Sequence, residues 1–206
     1  MEYVLYASTD EIINVIGEKI LRILKNDVIF GNAEILDEEE NELSLYCDMF
    51  TLQIDNSSDS IKVISEESNI DLKVELYMNL DMQCEDVIKK TIYFVGKYLK
   101  EFSCDIILMS NGDVPIILRN SEKLIVDTSR VKKGFPFDVL QTEYVVDKIK
   151  FLSGWFYWLL AIKNSFAQDF VMRFQGICNK ICYWYIVLKS NHCINIKYYL
   201  QQIYIG

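Results

Sequence analysis

Short turns separate the last three apolar segments of the first 130 residues, and this spacing restricts the sheet that they can form. Segments 105–109, 115–119 and 124–127 are joined by Asn111-Gly112-Asp113 and Asn120-Ser121-Glu122. Both turn sequences are typical of β-hairpins. Parallel strands need a crossover connection of about a dozen residues or more, and these turns are far shorter. The sequence therefore predicts antiparallel strands.

Two other segments have the spacing of helices. Apolar residues recur every three or four positions across residues 12–25, after a Ser8-Thr9-Asp10-Glu11 sequence that resembles a capping box. The pattern is strongest across residues 84–102, where the lysines fall on the side opposite the apolar stripe. Two amphipathic helices are therefore predicted, each with one face available to cover a sheet.

Between these helices the apolar residues alternate with a period of two. The alternating segments are 28–36, 43–55, 61–64 and 72–80. The acidic run DEEENE at 37–42 is interpreted as a hairpin loop, since solvent weakens its charge repulsion there. With residues 3–7 as the first strand, the predicted order is β-α-β-β-β-β-α-β-β-β. This order predicts an α+β fold, an antiparallel sheet with two main helices packed on one face.

The charge of the chain changes sign near residue 130. Residues 1–130 carry 26 Asp and Glu against 12 Lys and Arg, whereas residues 131–206 carry 4 against 9, and the whole chain has a net charge of -9. All three tryptophans and three of the six cysteines lie after residue 150. We therefore predict an α+β domain over 1–150 and an irregular, aromatic and basic C-terminal extension over 151–206. Residues 132–136 fit either a boundary or a surface loop, and 137–151 fit either a strand or a helix.

Composition disfavours several classes of protein. A chain with a net charge of -9 and pI about 4.7 lacks the cationic surface that binds nucleic-acid phosphates, so a basic protein partner is a better match. The N-terminus has neither the positive nor the apolar region of a secretory signal, which predicts a cytoplasmic protein with free thiols. The apolar run 151–162 is shorter than the ~20 residues of a membrane-spanning helix. Stable membrane insertion is therefore not predicted.

Reactive residues are few. His192 is the only histidine, and Cys193 beside it would point to the opposite face of a strand, which prevents a direct dyad. Cys178 and Cys182 lack the spacing of a typical zinc site. We therefore predict no catalytic, cofactor-binding or metal-binding residue and no enzymatic activity.

Clustered carboxylates are the remaining candidates for function. A solvated acidic face is the simplest interpretation, and a docking surface for a basic partner is the functional one. The predicted partner-binding residues are Glu34, Asp37, Glu38, Glu39, Glu40, Glu42, Asp55, Asp59, Glu66 and Glu67.

Residues 74–127 combine a strand, a long helix, a strand ending in Asn111-Gly112-Asp113, then Pro115, Arg119 and a short apolar strand. This pattern resembles the swarming-inhibition class of immunity proteins in bacterial polymorphic toxin systems, and the resemblance covers about residues 1–150. It implies a small cytoplasmic protein that neutralises a cognate toxin by binding it, without catalysis and without a cofactor. The hairpin residues named here are interpreted as structural.

Two alternatives stay open. The first is a small metal-dependent enzyme that uses clustered carboxylates, which requires a concave pocket where several Asp and Glu converge. The second is a membrane-associated accessory protein, in which the aromatic residues of 151–206 lie at the membrane interface.

Overall fold

The computed structural model describes residues 1–150, and these residues form the predicted α+β fold. Nine strands of this part of the chain form one sheet, accompanied by three α-helices and three short 3₁₀ helices. The strands are β1 (Glu2–Ala7), β2 (Ala33–Glu38), β3 (Glu42–Cys47), β4 (Phe50–Asp55), β5 (Val74–Leu80), β6 (Ile106–Ser110), β7 (Val114–Asn120), β8 (Lys123–Val126) and β9 (Val145–Val146). The α-helices are α1 (Ile13–Lys25), α2 (Asp59–Ser68) and α3 (Val87–Glu101), and the 3₁₀ helices are Val28–Phe30, Thr128–Arg130 and Phe137–Leu140.

The strands follow the order β2-β3-β4-β5-β1-β6-β7-β8-β9 across the sheet. Every neighbouring pair is antiparallel except β8 and β9, which are parallel. The antiparallel prediction is thus confirmed for the strands that short turns connect. The parallel pair is joined by a longer connection that contains two 3₁₀ helices, as a crossover requires.

Helices α1 and α3 pack on the same face of the sheet, as predicted. Their apolar stripes contribute Ile16 and Ile20 from α1 and Phe94 and Tyr98 from α3 to one large hydrophobic core. The sheet side of this core includes Leu45 on β3 and its neighbours Leu52 on β4 and Met78 on β5, all of them buried. Burial of this apolar surface is the main force that holds both helices to the sheet.

Helix α2 packs on the opposite face, and the prediction that residues 61–64 form a strand is wrong. Ile61 and Ile64 lie three positions apart, so a helix places both on one side, where they contact Val4, Tyr6 and Ile107 of β1 and β6. A segment of four residues fits both the period of a strand and the period of a helix, and the contacts of Ile61 and Ile64 with β1 and β6 favour the helix. The helix covers only the middle of its sheet face.

Three boundaries also differ from the prediction. Helix α1 begins at Ile13 without a side-chain cap, because the Ser8 hydroxyl accepts a hydrogen bond from the Asp105 backbone N–H at 2.9 Å instead. Residues 43–55 form two strands, β3 and β4, rather than one. Segment 28–36 begins as the 3₁₀ helix Val28–Phe30 and becomes a strand only at Ala33.

Residues 131–150 pack against the rest of the domain. The 3₁₀ helix Phe137–Leu140 buries its first and last residues against α3, and the Ile149 backbone N–H donates to the buried Asp127 carboxylate. Residues 132–136 are therefore a loop within the domain. The predicted extension over 151–206 lies outside the described residues. None of the helices of residues 1–150 has the length and apolar content that crossing a bilayer demands.

Candidate protein interface

The acidic residues predicted to bind a partner are concentrated at one edge of the sheet. Between Lys25 and Lys62 the chain contains ten Asp and Glu residues and no Lys or Arg. Strand β2 is the edge strand of this region. Glu39 and Glu40 lie exposed in the turn that joins β2 to β3, as predicted for the acidic run, and the Glu39 N–H donates to the Glu42 carbonyl at 2.8 Å.

The strand register divides the hairpin acids between the two faces of the sheet. Glu34 lies opposite Tyr46 and Asp37 lies opposite Ser44, so both are on the face that carries α2. Glu38 lies opposite Leu43, which belongs to the α1 and α3 core. Consistent with this, the Glu38 carboxylate accepts a hydrogen bond from the Asn14 side chain of α1. Glu38 is thus separated from the other hairpin acids.

Three carboxylates form a row across neighbouring strands. Glu42 on β3 lies directly opposite Asp55 on β4, and Asp55 lies directly opposite Glu75 on β5. Directly opposite side chains have their Cβ atoms about 5 Å apart, and like charges in this position destabilise a sheet. The row is on the α2 face. Because strand pairing is nonlocal, local sequence pattern did not identify Glu75 as a member.

Hydroxyl groups that follow β4 partly offset this repulsion. The Asp55 carboxylate accepts hydrogen bonds from the Ser57 N–H at 2.6 Å and from the Ser57 hydroxyl at 2.8 Å. The Glu75 carboxylate accepts from the hydroxyls of Ser58 and Ser60. The segment between β4 and α2, together with the first turn of α2, therefore orients both carboxylates. Within residues 1–150 the Glu42 carboxylate accepts no comparable hydrogen bond.

The remaining predicted residues belong to α2. Asp59 lies in the first turn, where a negative charge is favoured by the helix dipole. Glu66 is exposed and Glu67 is half-buried, and burial raises the pKa of Glu67 above its ordinary value. The structure thus brings Glu34, Asp37, Glu42 and Asp55 to one sheet face, and it places the α2 acids on a separate element.

Polar and aromatic side chains occupy the sheet surface between β2 and α2. In register, Tyr46 faces Thr51 and Thr51 faces Asn79, while Ser44, Gln53 and Tyr77 form the next row. Tyr46 is 38% exposed and Thr51 and Asn79 are exposed as well. We call this surface the open face; it consists of Ser44, Tyr46, Thr51, Gln53, Tyr77 and Asn79.

The open face has a negative electrostatic environment. The pKa of Tyr77 is raised, first by a hydrogen bond to Glu2, then by burial and by the negative charges of Glu2 and Glu75. Beyond Tyr46 the surface continues into an open depression of about 610 Å³ that Glu34 and Asp48 also line, together with one cation, Lys25. Carboxylates therefore surround the open face at both ends of its strands.

Residues 1–150 contain no group of three His, Cys, Asp or Glu side chains placed to hold a metal ion. Cys47, Cys84 and Cys104 of this part of the chain are free thiols, as predicted, and burial raises the pKa of Cys47 and Cys104. The candidate zinc and thiol residues Cys178, Cys182, His192 and Cys193 lie outside the described residues.

The hairpin residues that carry the family resemblance have structural roles. Asn111 and Gly112 adopt positive φ angles in the turn between β6 and β7, and the Arg119 guanidinium donates to the carbonyl oxygens of Leu99, Phe102 and Cys104 at the end of α3. No family model matches the chain, and comparison with curated proteins and solved structures gives no significant match. The resemblance to immunity proteins therefore stays a prediction.

Proposed function

We propose that this protein is a cytoplasmic immunity protein, which binds a cognate bacterial toxin and neutralises it without catalysis. The observation that supports this proposal most is the concentration of carboxylates on and around β2–β4, in a stretch of chain without Lys or Arg between positions 25 and 62. Its partner is a toxin domain with a basic surface.

The electrostatics suit inhibition of a nucleic-acid-cleaving toxin in particular. An enzyme that cleaves nucleic acids needs a cationic cleft for the phosphates of its substrate. A protein with a concentrated negative surface competes for that cleft, and its charge accelerates the diffusional encounter. Blocking the cleft requires no bond to be made or broken by the inhibitor.

The position of the acids on regular structure adds to the proposal. Glu34, Asp37, Glu42 and Asp55 are on paired strands, and Asp59 begins a helix. Side chains on a packed sheet need little further ordering when a partner binds, and this lowers the entropic cost of association. A rigid acidic surface thus favours tight binding.

Co-expression provides the test. The C-terminal domain of a secreted toxin encoded by the adjacent gene is expressed in a bacterial host with and without this protein, and cell survival is measured. We expect the domain alone to kill the host, the pair to survive, and the purified proteins to associate more slowly as salt increases. A harmless neighbour, or survival without binding, would reject the proposal. Tight binding of a divalent ion coupled to turnover would favour the enzyme alternative.

Charge reversal then locates the contact. The triple variant Glu38→Lys, Glu39→Lys and Glu40→Lys is compared with a matched control, Glu85→Lys, Glu122→Lys and Glu143→Lys, which makes the same charge change at exposed sites outside β2–β5. We expect the hairpin variant to slow association about tenfold more than the control. Equal effects would mean that net charge alone, rather than this edge of the sheet, governs encounter.

A further inference from the structure

The two faces of the sheet are covered very unequally. Helices α1 and α3 and the 3₁₀ helix Phe137–Leu140 pack on one face. The other face has only the ten-residue α2 and the short segment after it, whose hydrophobic cluster covers β1 and β6 and reaches the half-buried Tyr77 at the border of the open face. The open face of β3–β5 therefore lies beside α2 with no other element of residues 1–150 packed on it, although the strands beneath it are central to the fold.

The side chains of the open face are those that favour protein contact. Tyrosine combines a large apolar ring with a hydroxyl, and it is enriched in interfaces because it buries much area at low entropic cost. Tyr46 and Tyr77 supply these rings, and Thr51 and Gln53 supply hydrogen-bonding groups between them. Tyrosine is common in strands in general, so the exposure of the Tyr46 ring, at 38%, is the feature that favours contact with a partner.

Charge identifies the kind of partner. The row Glu42, Asp55 and Glu75 borders the open face on one side, and Glu34 and Glu2 extend its other side. None of the residues of β2–β5 is Lys or Arg. An arginine can stack on a tyrosine ring and pair with a carboxylate at the same time, which matches this combination of groups. A second copy of this chain would bring carboxylates against carboxylates.

We infer that the open face, with the exposed Tyr46 on β3 and Thr51 and Gln53 in its middle strand β4, is the docking surface of this protein, and that its occupant is an arginine-rich surface of another protein. The identification of that protein as a toxin rests on the proposed function. In this arrangement guanidinium groups stack on the exposed Tyr46 ring and pair with the carboxylate row, and Tyr77 forms the border of the contact beside α2. The acids of the hairpin tip and of α2 steer the approach without forming the centre of the contact.

A nona-arginine peptide tests the surface without any toxin. Two-dimensional amide NMR spectra of the full chain are recorded as the peptide is added. We expect the largest shift changes at Tyr46, Thr51, Gln53 and Asn79. The largest changes at Glu39 and Glu40, or at Glu66 and Glu67, would overturn the inference, as would changes of equal size over the whole acidic surface.

Matched variants sharpen the test. Tyr46→Ala is compared with Tyr144→Ala, which removes a tyrosine of nearly equal exposure outside the open face. Thr51→Arg is compared with Gln83→Arg, which adds the same charge at another exposed position. We expect each open-face variant to weaken peptide binding about tenfold and each control less than about threefold. Thermal unfolding verifies that all four variants fold, and equal effects within each pair would contradict the assignment.

The same variants separate this inference from the proposed function. If a neighbouring toxin is neutralised by the native protein and equally well by Tyr46→Ala and Thr51→Arg, the docking surface is wrong and the immunity function stands. If the peptide binds at the open face but the neighbour is harmless, the surface stands and the function fails. A dimer in sedimentation experiments that Thr51→Arg dissociates would identify a second copy as the occupant and overturn the basic partner.

Discussion

The buried carboxylate of Asp127 holds residues near Ile149 against the domain through hydrogen bonds. It is almost fully buried, and it accepts hydrogen bonds from the Ser129 N–H and hydroxyl, from Arg130 Nε at 3.0 Å and from the Ile149 N–H at 3.0 Å. Burial alone would raise the pKa of Asp127, but the donors of Ser129 and Ile149 and the charge of Arg130 outweigh it, so the pKa is lowered. The charged form is therefore the one that the fold stabilises.

We predict that Asp127→Asn lowers the free energy of unfolding by about 2 kcal/mol at pH 7, because the amide nitrogen meets N–H donors. A group with a lowered folded pKa stabilises the protein above its unfolded pKa, and this contribution is lost as pH falls through the folded value. The difference between native protein and variant should thus shrink between pH 7 and pH 3 in urea unfolding experiments. Asp113→Asn, in an exposed turn, is the control. A difference that is constant with pH would contradict the prediction.

Arg119 has a comparable role at the end of α3. Its guanidinium spans the carbonyl oxygens of Leu99, Phe102 and Cys104, groups that the helix itself leaves unpaired or that follow it directly. A lysine keeps the charge but cannot reach three acceptors with fixed geometry. The sequence identified Arg119 as structural, but its partners could not be predicted because they lie 15 to 20 residues away.

We expect Arg119→Lys to reduce the free energy of unfolding by about 1–2 kcal/mol, since the lysine ammonium cannot satisfy all three carbonyl groups. Chemical denaturation followed by circular dichroism measures the change. The control is Arg22→Lys, at an exposed ion pair with Glu101, where we expect a change below about 0.5 kcal/mol. Similar losses in the two variants would show that Arg119 acts only as a surface charge.

At the scale of elements, α3 and the 3₁₀ helix Phe137–Leu140 approach each other at Gly96. A Cβ atom at Gly96 would lie 2.2 Å from the Leu140 backbone oxygen, closer than any real contact. At Gly17 of α1, an added Cβ would instead meet the Leu43 side chain, with the nearest atom at 2.8 Å. A side-chain end can rotate away, whereas the backbone of a packed segment cannot move without losing its contacts.

These two glycines give a matched pair of predictions. Alanine favours a helix over glycine by about 1 kcal/mol, so propensity alone would make both substitutions stabilising. We predict that Gly96→Ala lowers stability by about 2 kcal/mol or more, because it separates the 3₁₀ helix from α3. Gly17→Ala should cost clearly less. Thermal unfolding measures both, and a stabilising Gly96→Ala would mean that the two elements are not in close contact.

Elements with strong local patterns were predictable, and those decided by distant contacts were not. The helical stripe of residues 84–102 predicted α3, found at Val87–Glu101, and the short turns predicted β6, β7 and β8. The β3–β4 turn was missed, although the apolar phase changes there from odd to even positions, with Cys47 buried before it and Phe50 after it. Helix α2 was missed because four residues fit a strand and a helix equally well.

The same limit applies to the candidate interface. The acidic hairpin and the α2 acids are evident as charge in the sequence, but the row Glu42, Asp55 and Glu75 exists only through strand register. Nor does any local pattern show that Tyr46 lies on an uncovered face and that Tyr77 lies where this face meets α2. Tyrosine is common in strands, and the position of α2 determines which of the two rings is exposed.

At the scale of the whole molecule, the acidic surplus opposes folding. Glu39 and Glu40 lie in the turn of the β2–β3 hairpin, and the chain around this hairpin has no Lys or Arg between positions 25 and 62. Repulsion among such charges destabilises a compact state and is screened by salt, over a distance of about 10 Å at 0.1 M. Both side chains are exposed and lie outside the hydrophobic clusters of the described residues.

We therefore predict opposite effects of one double variant on folding and on binding. The double variant Glu39→Gln and Glu40→Gln should raise the unfolding temperature in 10 mM salt, because it removes local charge repulsion. This gain should disappear in 0.5 M salt, where the Debye length is about 3–5 Å and the repulsion is screened. The control, Glu85→Gln with Glu143→Gln, makes the same change in net charge and should gain less. If the hairpin acids steer a basic partner, only the hairpin variant should also associate more slowly. A hairpin variant that is less stable in low salt would show that these carboxylates support the fold, which would remove the reason to assign them to partner binding.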